Sequence, residues 1–302
     1  MPMQAKIFVK CLAMIGMTTL LAAAAQALVQ APGPGSIAGL SLHLEADSGM
    51  TLDGNNDVIT WLDQSALHHD ASGVSGYYAQ VNGAMMNGIA VPTFSDSYLT
   101  IAGQPVTSQQ FTIFTVAATP QTGGSDGFRE VVSNWSGSNN VTSVFLGTVG
   151  YSAVPDTRLR FTDDVGGFSD VNHQQTGVAS VVNPAAGFVL SGVSDLGAAS
   201  LYLGQALVHG AAALTTRDLS GVWVIGSQGG FFENWNGQIA ALIIYDRALD
   251  DAERTLVIDY LGQKYLAAPP VPEPGSWALM LGGLFGLFGM SGLGALARRR
   301  RD

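Results

Sequence analysis

Short apolar runs, broken by glycine, asparagine, aspartate and proline, recur along most of the chain. They predict strands at residues 39–44, 58–62, 111–117, 141–146, 158–162, 188–190, 201–203, 222–225 and 239–245. Arg158-Leu159-Arg160-Phe161-Thr162 alternates, as a strand with one wet face does. Ile239 to Tyr245 is apolar on both faces and reads as a central, covered strand. Helical spacing stands out once. Asp250 caps it, Glu253 completes a capping box, and Leu256, Val257, Tyr260, Leu261 and Tyr265 fall on one side. Many short strands with frequent turns predict an all-β sandwich or jelly roll with one short C-terminal helix, a single domain over residues 28–268.

Two flanking segments follow neither period. Lys6 and Lys10 precede an apolar run from Cys11 to Ala25, which ends in Ala25-Gln26-Ala27. A positive start, a short apolar run and a small-residue site describe a secretory signal peptide, residues 1–27, cut after Ala27. About 15 apolar residues fall short of the roughly 20 a transmembrane helix needs. At the other end, residues 277–297 are 21 uncharged residues. As a helix they span about 31 Å, enough to cross a bilayer core of about 30 Å. Arg298, Arg299, Arg300 and Arg301 then act as a stop that stays cytoplasmic. The plain reading is a C-terminal anchor.

Pro272-Glu273-Pro274 stands directly before that span. The triad, the apolar helix and the terminal arginines together, residues 269–302, resemble the PEP-CTERM sorting signal of Gram-negative bacteria. The resemblance implies processing near Pro272, Glu273 and Pro274 by an exosortase, after signal peptidase and a transient stay in the inner membrane. It names a route and no activity.

Charge divides along the same boundaries. The whole chain carries −10, but the passenger holds seven basic and 21 acidic residues, a net −14. Such a surface disfavours nucleic acid and anionic polysaccharide. Cys11, the one cysteine, belongs to the signal peptide, so thiol catalysis and thiolate metal sites are excluded from the mature protein.

Within the passenger, NWNGQIAALIIYDRALDDAERTLVIDYLGQKY resembles the closing signature of LamG-like, concanavalin A-like jelly rolls. LSLHLEADSG and NNDVITWLDQSALHHDAS resemble that family's first two strands, with Trp61, Asp63 and Ser65 in place. The resemblance implies one β-sandwich that binds carbohydrate or protein at its loops.

Candidate chemistry is sparse. Glu45-Ala46-Asp47 begins the E-x-D-x-x-E of jelly-roll glucanases, but Met50 stands where the second glutamate belongs, so Glu45 reads as a strand-end polar residue. His68 and His69 are adjacent and on a strand point to opposite faces, which does not suit one metal ion. Asp53, Asn55 and Asp57 suit a turn; a calcium loop would need other residues than Val58 and Gln64. Calcium at a loop rim stays open, with no cofactor and no metal site assigned. Trp61 and Trp223 read as core, while Tyr77, Tyr78, Phe231, Phe232 and Trp235 are the candidate sugar-stacking residues.

The resulting expectation is a non-catalytic, exported binding module of the cell surface or exopolysaccharide matrix, with polysaccharide or a surface protein as partner. The alternative is a divergent glycoside hydrolase or lyase acting on extracellular polysaccharide. For the sorting signal, replacing Glu273 should leave the passenger in the inner-membrane fraction, and unchanged release would contradict the reading.

Overall fold

The structure is a computed structural model that describes residues 32–120, 128–134, 143–149, 156–161, 184–196, 198–209, 218–229 and 233–266. The signal peptide, the Pro-Glu-Pro triad, the apolar span and the arginine cluster lie outside the described residues. Among those described, no helix is long and apolar enough to cross a membrane.

In chain order the strands are β1 (Leu40–Glu45), β2 (Met50–Leu52), β3 (Val58–Trp61), β4 (Ala71–Gly73), β5 (Met85–Met86), β6 (Ile89–Ala90), β7 (Thr93–Phe94), β8 (Leu99–Ile101) and β9 (Phe111–Ala118). There follow β10 (Phe128–Ser133), β11 (Val144–Val149), β12 (Asp156–Phe161), β13 (Phe188–Asp195), β14 (Ala198–Leu203), β15 (Ala206–His209), β16 (Val224–Ile225) and β17 (Gly237–Tyr245). Among the described residues one α-helix, α1 (Asp251–Leu261), follows β17 and runs into a π-helical turn, Gly262–Leu266.

The strands form an antiparallel sandwich. A seven-stranded sheet has the order β1-β17-β9-β13-β14-β15, with β7 also pairing β17. An eight-stranded sheet has the order β12-β11-β10-β16-β8-β4-β3-β2. Register sorts the side chains. Leu44, Leu242, Thr115 and Leu190 form one row across the first sheet and face the second. Leu99, Ile225, Val132 and Leu146 form the answering row. All eight are fully or almost fully buried. Trp61 and Trp223 lie in this core, as their apolar contexts predict.

The first sheet is apolar on its outer face too. His43, Ile243, Phe114, Ser191 and Tyr202 stand in register there. Helix α1 supplies the cover. The Asp250 carboxylate accepts from the Glu253 amide at 2.9 Å, and the Asp250 amide donates to Glu253 at 3.3 Å, the predicted capping box. Val257, Leu261 and Tyr265 face inward, and the Arg254 guanidinium sits 3.6 Å above the Tyr202 ring. Leu256 corrects the predicted helix face, being 37% exposed, while Ile258 and Arg254 are buried in its place. Gly237 opens β17 at φ +148°, and a Cβ there would stand 2.0 Å from the Ala118 carbonyl oxygen.

The Tyr245–Leu249 segment ties the helix back to the chain start. Tyr245 donates to the Pro34 carbonyl at 2.9 Å, and Arg247 donates to Ala38 while pairing with Glu253. Asp63 does the same for β1. Its buried carboxylate accepts from the amides of His43, Ser65 and His69 and from the Ser65 hydroxyl, at 2.6–2.8 Å. Removing the acceptor strands those donors, so Asp63→Ala should cost about 3 kcal/mol in a urea unfolding curve. A change below about 0.5 kcal/mol would contradict this role for the carboxylate.

Candidate functional site

The outer face of the eight-stranded sheet differs from its counterpart. Thr60, Ser72, Thr100, Val224, Ser133 and Phe145 stand side by side across β3, β4, β8, β16, β10 and β11. Val224, Ser133 and Phe145 are buried, but Ser72 is exposed and Thr60 and Thr100 half-buried. Tyr98 immediately precedes β8, two residues before Thr100, and its amide donates to the Tyr77 carbonyl at 3.0 Å. Tyr98 is covered by Tyr77, their ring centroids 5.5 Å apart, and Tyr77 stays 41% exposed. Burial holds the Tyr98 phenol above its ordinary pKa, with the neighbouring Tyr77 adding to the effect.

Carboxylates gather where β8 and β10 begin. The Glu130 amide donates to the Glu233 carbonyl at 2.9 Å, and Glu130 forms a parallel bridge with Asn234. Asn234 in turn donates from Nδ2 to Asp96 at 3.1 Å. Asn234 is thus bridged through its backbone to the buried Glu130 and bonded through its side chain to the exposed Asp96. Asp96 and Glu233 both adopt positive φ, +48° and +51°, a conformation that costs a non-glycine residue energy and concentrates at functional sites. Sequence reasoning missed this group, because its members are 34 to 138 residues apart and none sits in a local motif.

Glu45 has a different office. It lies on the outer face of β1, under the π-helical turn, 96% of its surface removed from solvent. Lys264 Nζ donates to its Oε2 at 2.9 Å and lies 3.0 Å from Asp47, and the Tyr260 hydroxyl donates to the same Oε2 at 3.1 Å. His43 Nε2 is in contact at 3.2 Å without hydrogen-bond geometry, and Glu45 Oε1 is buried with no partner. Burial by itself would raise the Glu45 pKa, but His43 and Lys264 outweigh it and hold the carboxyl below its usual range. Lys264 is held above its ordinary value by the same contacts against the pull of burial. An ionised carboxylate closed in by a lysine and a tyrosine serves as a latch on the helix, not as a group that meets substrate.

The other predicted residues are dispersed. Tyr78 is half-buried, packed where a Cβ on Gly73 would fall. Trp235 corrects the expected stacking set. It is fully buried, edge-on to Phe188 at 6.4 Å, with its indole donating to the Gln238 carbonyl. Phe231 and Phe232 lie outside the described residues. Asp53 accepts from the amides of Asn55 and Asp57, an Asx-type turn between β2 and β3. The His69 ring meets the Ala102 carbonyl at 2.9 Å, and His68 is exposed at φ +56°. Among the described residues no group of three histidine, cysteine, aspartate or glutamate side chains is placed to hold a metal ion.

No family model and no curated protein match the chain. Solved structures do. A GH54 α-L-arabinofuranosidase soaked with a cyclic sulfate inhibitor aligns over 80% of this chain and 68% of its own, with TM-score 0.55 and 12% identity. An arabinofuranosidase complexed with arabinofuranosyl-α-1,2-xylobiose gives the same TM-score and identity, over 80% of this chain and 67% of its own. Trypanosoma rangeli sialidase aligns at TM-score 0.48 and 13% identity, this chain covering 34% of that protein. The likeness is one of fold. It corrects the expectation of a module outside enzymology, since the solved proteins that share this sandwich include glycoside hydrolases.

The Glu45 latch has its own test. Glu45→Gln removes the buried one of the two carboxylates around half-buried Lys264 and leaves Asp47, at a cost of about 1–3 kcal/mol at pH 7. A carboxyl whose native pKa lies below its unfolded one stabilises above the unfolded value and loses that contribution as pH falls through the native value. Urea midpoints of wild type and Glu45→Gln should therefore differ at pH 7, and the gap should narrow as the pH is taken down into acid. A gap that persists or widens in acid would contradict the latch.

Proposed function

We propose that the passenger is an exported carbohydrate-active enzyme that cleaves glycosidic bonds in an extracellular polysaccharide. The observation that carries this reading is the Glu130–Asn234–Asp96 link on the eight-stranded sheet. Glycoside hydrolysis uses two carboxyl groups in unlike surroundings, one to protonate the leaving oxygen and one to act as base or nucleophile. Buried Glu130 and exposed Asp96 differ in that sense, and Asn234 bridges the Glu130 backbone while its side chain holds Asp96. The fold shared with arabinofuranosidases, one of them complexed with arabinofuranosyl-xylobiose, supports pentose-containing polymers as first substrates to try.

The rest of the reading comes from sequence. The sandwich is a LamG-like, concanavalin A-like jelly roll. The first 27 residues direct export, and the PEP-CTERM tail delivers the protein through an exosortase to the cell surface or exopolysaccharide matrix.

The test is reducing-end release from arabinan, arabinoxylan, xylan and β-glucan by the full chain, its Glu130→Gln variant and its Asp96→Asn variant. Turnover on at least one polymer, with a loss of about 100-fold or more in each variant at unchanged circular dichroism, is the expected result. Turnover that survives both substitutions, or no turnover on any polymer, overturns the proposal.

A further inference from the structure

The proposed cleavage site leaves the exposed half of the same sheet face unexplained. Thr60, Ser72 and Thr100 present three hydroxyls in register across β3, β4 and β8. Adjacent strands lie about 4.8 Å apart, so the strip is about 10 Å long and perpendicular to the strands. It bears no charge and no bulky side chain. Tyr98 immediately precedes β8, two residues before Thr100, and Tyr77 lies over it with much of its surface in solvent. Asp96 comes two residues before Tyr98 in the chain. Toward β16 and β10 the row continues into Val224 and Ser133, which are buried, so the exposed surface ends there.

From this arrangement we infer that Tyr77, Thr100, Ser72 and Thr60 form a binding subsite for an uncharged glycan chain. The inference rests on the reading of this face as carbohydrate-active. Sugars offer an apolar ring face edged with hydroxyls. Tyr77 supplies a flat apolar partner for the ring, held in place by Tyr98 beneath it, and the strip supplies donors and acceptors for the hydroxyls. Charge selects among glycans. The strip has no cation to meet a uronate or sulfate, and the passenger's 21 acidic against seven basic residues repel polyanions before contact. The glycan therefore lies across β3, β4 and β8 and is handed past Tyr77 toward Asp96.

The experiment is calorimetric titration of the full chain with xylohexaose and, separately, with an oligogalacturonate of similar length. Wild type, Tyr77→Ala, Tyr77→Phe, Ser72→Leu and Glu130→Gln are compared, with KM and kcat measured on the polymer that is turned over. Xylohexaose should bind, the oligogalacturonate should not, and Tyr77→Ala should weaken binding by about tenfold or more while Tyr77→Phe keeps it. Ser72→Leu should raise KM at constant kcat, and Glu130→Gln should lose kcat and keep affinity. Equal binding of the two oligosaccharides overturns the selection for uncharged chains. Affinity and KM unchanged in Tyr77→Ala and Ser72→Leu overturn the subsite, even where Glu130→Gln abolishes turnover and so upholds the cleavage reading. Tyr77-dependent binding without turnover in any polymer upholds the subsite and fells the cleavage reading instead.

Discussion

A strand that is apolar on both faces has to be covered on both, and in this sandwich that strand is β17. Every residue of it except Gln238 is buried. One side of the requirement is met by the eight-stranded sheet. The other is met by helix α1, which explains why so much bonding converges on so short an element. The Asp250–Glu253 capping box starts it, Arg247 joins its first turn to Ala38, Arg254 lies on Tyr202, and Lys264 latches its end to Glu45 and Asp47. The signature that resembles LamG-like domains is in this view a structural device. Its Tyr245, Asp246 and Arg247 hold the helix, the loop at Thr107 and the start of the chain together.

This division assigns the two outer faces different work. The seven-stranded sheet spends its outer face on stability, including the carboxylate that sequence reasoning compared with a catalytic glutamate. The eight-stranded sheet keeps hydroxyls on its outer face, with exposed Tyr77 and Asp96 beside it where a ligand can reach them, while Glu130 is buried. Asp96 and Glu233 hold positive φ, and the bonds from Asn234 and Glu130 keep them there.

How far the sequence reveals this depends on the range of the interaction. Each of the nine strands predicted from apolar runs overlaps an observed strand, and β17 is central and covered as its unbroken apolar run requires. The capping box was legible too, because its partners are three residues apart. β10 was missed. Its Arg129 and Glu130 break the apolar pattern, yet both are buried in the sheet. The two-residue strands β5, β6, β7 and β16 owe their pairing to register, and only β16 lies within an apolar run long enough to predict. The site was less legible than the fold. Tyr77 and Trp235 both border glycine-rich turns, and only the three-dimensional packing separates an exposed ring from a core one. Asp96, Glu130 and Asn234 meet through a β-bridge and a side-chain hydrogen bond across more than 100 residues of chain, which no local pattern records.

The central claim, that carbohydrate is handled on the outer face of the eight-stranded sheet, is tested most directly by hydrogen–deuterium exchange of the full chain with and without xylohexaose. Protection of peptides covering Ala71–Gly73, Tyr77 and Leu99–Ile101, with α1 and β1 unchanged, is the result this account predicts. Protection centred on β1, α1 and the Glu45 latch, with the eight-stranded sheet unchanged, would contradict it.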